Sequence, residues 1–214
     1  GKLANMVACN FRFHPGPKQL KQWLDEGVIG QIISTRVHCG SYLPTWRPWQ
    51  DYRKSYSAST ISGGAVLDVI HEIDLTTWLL GNACRKASIT LPATSIGLDT
   101  DGMSEILLEH ASGAISSVHL NFIQRNYQRN ILIIGTEGTL QWEFDGIDGE
   151  CKRFGSDGLI VEKVAQHIGW TMNDMYVEEM QYFIECVKSG HSTFNDISCA
   201  ESTLRIAVEA RRIE

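Results

Sequence analysis

Two stretches of this chain alternate strictly between apolar and polar residues. Val118, Leu120 and Phe122 are interleaved with Ser117, His119 and Asn121, and Leu140, Trp142 and Phe144 with Gln141, Glu143 and Asp145. Successive side chains of a strand point to opposite faces, so this alternation predicts strands with one buried face. Ser112-Gly113 and Glu137-Gly138 are turn signals, and hairpins are expected there. The β-branched residues 29–39 read as another strand, and the apolar run 6–11 suits a buried one. About five or six strands, mostly antiparallel, are expected between Ile29 and Val164.

Helical spacing surrounds this meander. Leu20, Trp23 and Leu24 mark a short helix stopped by Gly27. Residues 173–188 carry a stripe of Tyr176, Met180, Phe183, Ile184 and Val187. A last helix is expected near Ser198, where Ser198 and Glu201 have capping-box spacing, with Leu204, Ala207 and Val208 as its stripe. Helices before and after a run of strands predict an α+β fold: an open, largely antiparallel sheet with helices packed on one face.

Residues 63–81 read as one helix ended by Gly81. Val66, Val69, Ile70, Ile73, Thr77 and Leu80 fall on one side, and Asp68, His71, Glu72 and Leu75 on the other. Asp68 and His71 are one turn apart and therefore neighbours on such a helix. As a functional pair, the imidazole takes a proton from a substrate hydroxyl while the carboxylate orients it. As a structural pair, the two make a local ion pair worth a few tenths of a kcal/mol. Asp74 reads as a helix-stabilising carboxylate.

The segment 40–61 is long for a loop, and its Tyr42, Trp46, Trp49, Tyr52 and Tyr56 argue against disorder. Aromatic faces beside Arg47, Asp51 and Arg53 suit a sugar ring. They equally suit a protein partner, since Trp, Tyr and Arg dominate binding hot spots. A structural role for most of the tryptophans is a third reading.

Composition narrows the classes. The 214 residues carry a net charge of −6, which argues against a nucleic-acid binder. No run approaches the length of a membrane helix. The start, Gly1-Lys2-Leu3-Ala4-Asn5, lacks a signal-peptide layout, and the six cysteines form no CxxC pair. A cytoplasmic protein with reduced thiols is expected. The seven histidines are scattered, and neighbours such as His38 and Cys39 in a strand face opposite ways, so no metal site is expected. There is no GxSxG, HExxH or P-loop, and no GxGxxG following a strand.

Four segments in order resemble the C-terminal domain of the Gfo/Idh/MocA oxidoreductases. They are Asn10-Phe11-Arg12-Phe13-His14-Pro15, Gly27-Val28-Ile29-Gly30, the Gly63-Gly64 to Gly81 segment, and Gly135-Thr136-Glu137-Gly138-Thr139-Leu140. The Tyr42–Tyr56 run together with His71-Glu72-Ile73-Asp74 resembles a narrower branch acting on acylated or nucleotide-linked sugars. The resemblance implies an NAD(P)-dependent dehydrogenase of a sugar or sugar-derivative hydroxyl. In that family an N-terminal Rossmann domain holds the dinucleotide and supplies a lysine. It further implies His71 as proton acceptor supported by Asp68, with Arg12 near the domain junction and Tyr42, Trp46, Tyr52, Arg53 and Arg129 on the substrate side.

The chain departs from the pattern in two ways. Asp68 and His71 are three residues apart where many members have four, and the Rossmann half is absent. Residues 1–15 therefore read as the remnant of its last strand and crossover, and 16–214 as the substrate domain. NAD or NADP belongs to the longer protein, since cofactors carry the hydride chemistry; none is expected on this chain alone, which is expected to be inactive by itself. A homo-oligomer through the open sheet face is expected, because an uncovered apolar face is otherwise a liability. The rival readings are a non-catalytic binding or assembly module and a stand-alone carbohydrate binder.

Overall fold

A computed structural model of the chain describes residues 3–211; residues 1 and 2 of the N-terminal segment read above lie outside that range. Eight strands form one open sheet in the order β2-β3-β4-β1-β5-β6-β7-β8. Their spans are β1 Ile32–Tyr42, β2 Ala83–Pro92, β3 Asp101–His110, β4 Ile115–Asn121, β5 Ile123–Gly135, β6 Thr139–Phe144, β7 Gly149–Phe154 and β8 Ile160–Ala165. Among the described residues all neighbours are antiparallel except β1 and β4, which run parallel with Ser34 opposite Ile115. The expected α+β class holds, with more strands than alternation alone revealed. The Glu137-Gly138 turn joins β5 to β6, with Gly135 N–H donating to the Gly138 carbonyl at 2.9 Å.

Among the described residues six α-helices accompany the sheet: α1 Pro15–Asp25, α2 Leu43–Trp46, α3 Ala65–Asp68, α4 His71–Leu80, α5 Met172–Ser189 and α6 Ile197–Ala210. The core lies between helices and sheet. Val37, Ile106, Leu108, Val118, Leu120, Ile131, Ile133, Leu140 and Trp142 meet Leu20, Trp23, Ile73 and Leu75 there. The opposite sheet face exposes Ile89, Leu107 and Ile115, and on it His38 stacks on His119 with ring centroids 4.6 Å apart. Cys39 faces the core, as period two requires.

Several expectations are corrected. Residues 6–11 form no strand. Residues 3–9 have no regular structure, and Asn10–Phe13 is a 3-10 turn. The segment is held instead by the 194–195 region, where Asn195 Nδ2 donates to the Val7 carbonyl and Val7 N–H to the Asn195 carbonyl, both at 2.8 Å. Most of the α5 and α6 stripes do not face the core; Ala207 does, and Phe183 is half-buried. Tyr176, Met180, Ile184, Val187, Leu204 and Val208 are exposed, whereas Met175, Cys186, Ile206 and Ala207 are buried. The cap of α6 is Asp196, which accepts the Cys199 N–H at 2.9 Å. All six cysteines are free; Cys84 and Cys199 are exposed.

Residues 63–81 form two helices, α3 and α4, broken at Val69 and Ile70. The entry to α3 is set by packing. A Cβ on Gly63 would lie 2.2 Å from the Tyr56 carbonyl oxygen, and one on Gly64 2.0 Å from Asp101 Oδ1. Gly64 also has φ +95°, a conformation open to glycine and costly for other residues. Asp101 Oδ2 accepts the Val66 N–H at 2.8 Å and Oδ1 accepts Arg211 Nε at 3.0 Å.

Candidate active site

Helix α4 is buried nearly all round, not on one side. Glu72, Ile73, Asp74, Leu75, Thr76, Thr77 and Leu79 are all buried. A carboxylate in such a helix needs a partner, because burying an unpaired charge is costly. Both carboxylates have one. Arg12 donates to Asp74 through Nε at 2.8 Å and Nη2 at 2.7 Å. Arg129, on β5, places Nε 2.6 Å from Glu72 Oε1 and Nη2 3.4 Å from Oε2; the first is a close charge contact lying off the N–H direction. Burial raises the pKa of Glu72 against the opposing pull of Arg129. Burial also works against the Arg129 charge, but Glu72, Cys39 and Tyr127 outweigh it and the pKa is raised.

His71 opens α4 and lines a cavity of about 280 Å3 with Val7, Ala8, Cys9, Ile70, Asp74 and α6. Its Nδ1 is buried without a hydrogen-bond partner. Its ring packs on Phe11 with centroids 5.3 Å apart. Burial first, and then the Arg129 charge, lower its pKa to about 4, with Asp74 opposing. The imidazole is therefore neutral near pH 7 and has a lone pair to offer.

Asp68 is not its partner in this structure. The break after α3 leaves Asp68 beside the aromatic segment, where Ser57, Tyr56 and Arg47 act on its carboxyl. Burial raises its pKa against the influence of Ser57, Tyr56 and the Arg47 charge, and Oδ2 is buried without a hydrogen-bond partner. The one-helix geometry that made the two residues neighbours does not form.

The aromatic segment is ordered by short helical turns and a small core of its own. Leu43, Ala65, Ala93, Ile96, Leu98 and Phe122 pack there with Tyr42, Trp46 and Tyr52. Trp46 Nε1 donates to Ser41 Oγ at 3.1 Å, and the Tyr52 hydroxyl donates to the Ile96 carbonyl at 2.8 Å. Arg125 lies 4.0 Å over the Tyr42 ring. Arg53 is exposed and pairs with Asp51 at 3.0 Å. The guanidinium groups of Arg12 and Arg129 are buried and committed to Asp74 and Glu72. A larger groove of about 600 Å3 lies along β5–β7 beside Tyr127, Asn130, Glu143 and Gln166, and His71 does not line it.

Sequence reasoning missed the two buried ion pairs. A signal existed: apolar residues occur on every side of α4, which marks a buried helix and makes Glu72 and Asp74 conspicuous.

The sequence matches the GFO/IDH/MocA C-terminal domain over residues 18–141. The chain belongs to that family. Levoglucosan dehydrogenase of Pseudarthrobacter phenanthrenivorans is 28% identical over 182 residues, 72% of this chain and 46% of that protein. The inositol 2-dehydrogenase/D-chiro-inositol 3-dehydrogenase of Lacticaseibacillus casei is 27% identical over 82% of this chain and 48% of its own length. This GFO/IDH/MocA chain thus spans about half the length of these curated relatives. A levoglucosan dehydrogenase structure with NADH and L-sorbose shares the fold, with a TM-score of 0.79 at 19% identity over 97% of this chain and 64% of that one. So does an Agrobacterium radiobacter oxidoreductase with NAD+, L-tartaric acid and magnesium, at 0.76 and 22% over 96% and 62%. Among the described residues no helix is long and apolar enough to cross a membrane.

The residues about His71 do not make a dinucleotide phosphate site. The cavity is largely apolar, and the carboxylates that line it are those of Asp74 and Glu201, which repel phosphate.

Proposed function

We propose that this chain is the substrate and assembly half of an NAD(P)-dependent oxidoreductase acting on a sugar or sugar-derivative hydroxyl. The observation that carries this reading is His71: a neutral, half-buried imidazole at a cavity wall, in a domain of an oxidoreductase family. His71 accepts the hydroxyl proton. Arg12 and Arg129 stand behind the site as ion-pair partners, while Tyr42, Trp46, Tyr52 and Arg53 border the substrate on the Asp68 side.

The dinucleotide belongs to the other half of the longer protein. The exposed stripes of α5 and α6, together with the cavity beside His71, are the surface that half covers. Residues 1–15 lead from it into the domain 16–214. The open sheet face, with Ile89, Leu107 and Ile115, pairs with a second copy. We place the protein in the cytoplasm. The separation of Asp68 from His71 favours a second reading, a binding or assembly module that no longer catalyses.

The deciding assay joins this chain to its dinucleotide-binding half and follows NAD(P)H formation with a panel of sugars, with and without His71→Gln. Turnover abolished by the substitution supports the proposal. An equally active His71→Gln protein removes it, and sugar binding without turnover in the joined protein supports the module. For this chain alone, micromolar NAD or NADP affinity in calorimetry contradicts the assignment of the cofactor to the other half.

A further inference from the structure

We propose that Glu72 and Arg129 are positioning residues for His71, acting through the ring of Phe11. This rests on the reading of His71 as the proton acceptor. The geometry is a closed circuit. His71 and Glu72 are consecutive in α4; Glu72 holds Arg129 at 2.6 Å. The Arg129 guanidinium carbon lies 3.7 Å over the Phe11 ring centroid, and that ring packs against His71 at 5.3 Å.

Such a circuit is needed because the usual device is missing. A working histidine is commonly oriented by a carboxylate or carbonyl on its second nitrogen, but Nδ1 of His71 is buried without a partner. Its tilt is set by ring packing instead. Phe11 is itself fixed: it is 4% exposed and stacks on His14. A cation over an aromatic face is held more strongly when desolvated, and Arg129 is buried.

The circuit also sets charge. Arg129 on β5 disfavours a proton on the imidazole, and Asp74 on α4 favours it. On the cavity side the facing groups are Cys9 of the N-terminal segment and Glu201 of α6. Asp68, before the helix break, lies beside Tyr56 and Ser57. The Asp74 charge is itself matched by Arg12 of the 3-10 turn, so burial does most to keep a proton off the imidazole and Arg129 adds to it.

The test needs no activity. In this chain with labelled histidine, His71→Gln assigns the His71 resonance. The double variant Glu72→Met/Arg129→Met removes both charges without leaving one buried and unpaired, an exchange that is often neutral for stability. The His71 titration midpoint is expected to rise by roughly one pH unit. Arg129→Lys keeps a charge but withdraws the planar group from Phe11, so the His71 ring resonances shift while the midpoint moves less than in the double variant. A double variant that folds with the native midpoint overturns the proposal. If the double variant does not fold, Arg129→Lys decides: unchanged His71 resonances overturn it. The catalytic reading fails separately, through an active His71→Gln enzyme, and that result leaves the titration untouched.

Discussion

Asp74 accepts both Nε and Nη2 of Arg12, at 2.8 and 2.7 Å, with the two side chains only 2% and 7% exposed. Arg12 comes from the 3-10 turn that precedes α1, and Trp78 and Phe194 flank its guanidinium at 5.7 and 5.5 Å. The pair ties the N-terminal segment to the helix that carries His71. Breaking it from one side leaves a buried charge alone. Arg12→Met or Asp74→Leu is expected to cost about 3–5 kcal/mol, and the double variant much less than the sum. Urea unfolding of the four chains checks this.

Stability is expected to fall on mild acidification. Burial lowers the pKa of His14 to about 3 and that of His71 to about 4, from an ordinary 6.5. The unfolded chain therefore binds these protons first. The contribution is fully present above about pH 6.5 and is lost as pH falls toward the folded values, at up to about 1.4 kcal/mol per pH unit for each histidine. Unfolding free energies between pH 7.5 and pH 4.5 measure it; His14→Phe should flatten the slope, and an unchanged slope would count against His14.

Gly64 and Gly113 separate strain from collision. Both have positive φ, +95° and +85°, but a Cβ on Gly113 meets nothing within 4 Å whereas one on Gly64 strikes Asp101. Gly113→Ala is expected to cost about 1–2 kcal/mol and Gly64→Ala clearly more, because the Asp101 contacts to Val66 and Arg211 must also give way. Equal losses in thermal unfolding would refute the collision argument.

The proposed pairing of sheet faces predicts that Leu107→Glu or Ile115→Glu yields a smaller species in light scattering, with the far-UV spectrum preserved. Both side chains are more than half exposed, so burial in the folded chain gives them little to lose. A monomeric native protein would contradict the pairing.

Much of the sheet was legible because its physics is local. The alternation at Val118–Phe122 and Leu140–Phe144 and the turn before Gly138 depend on neighbours in sequence. The site was legible in its residue types but not in its pairings. Glu72 looked like a surface residue until Arg129, fifty-seven positions away, supplied its charge partner. The apolar stripes of α5 and α6 lie mostly on the surface, Ala207 excepted, since helical spacing reports which residues share a face and not whether this chain covers that face. The break between Asp68 and His71 has no proline to announce it; Val69 leaves helical geometry there at φ −111° and ψ 28°.

The parallel seam between β1 and β4 gives the fold an order of assembly. β2–β3–β4 and β5–β8 are each joined by short turns and can zip locally. β1 cannot complete its place until β4 has been synthesised, since Ser34 waits for Ile115. Such distant pairings close late and slowly. Helix α4 packs across that seam, against both β1 and β4. A nascent or partly unfolded chain therefore has sheet before it has a seated His71, and destabilised variants should lose the imidazole's environment while most of the strand content persists.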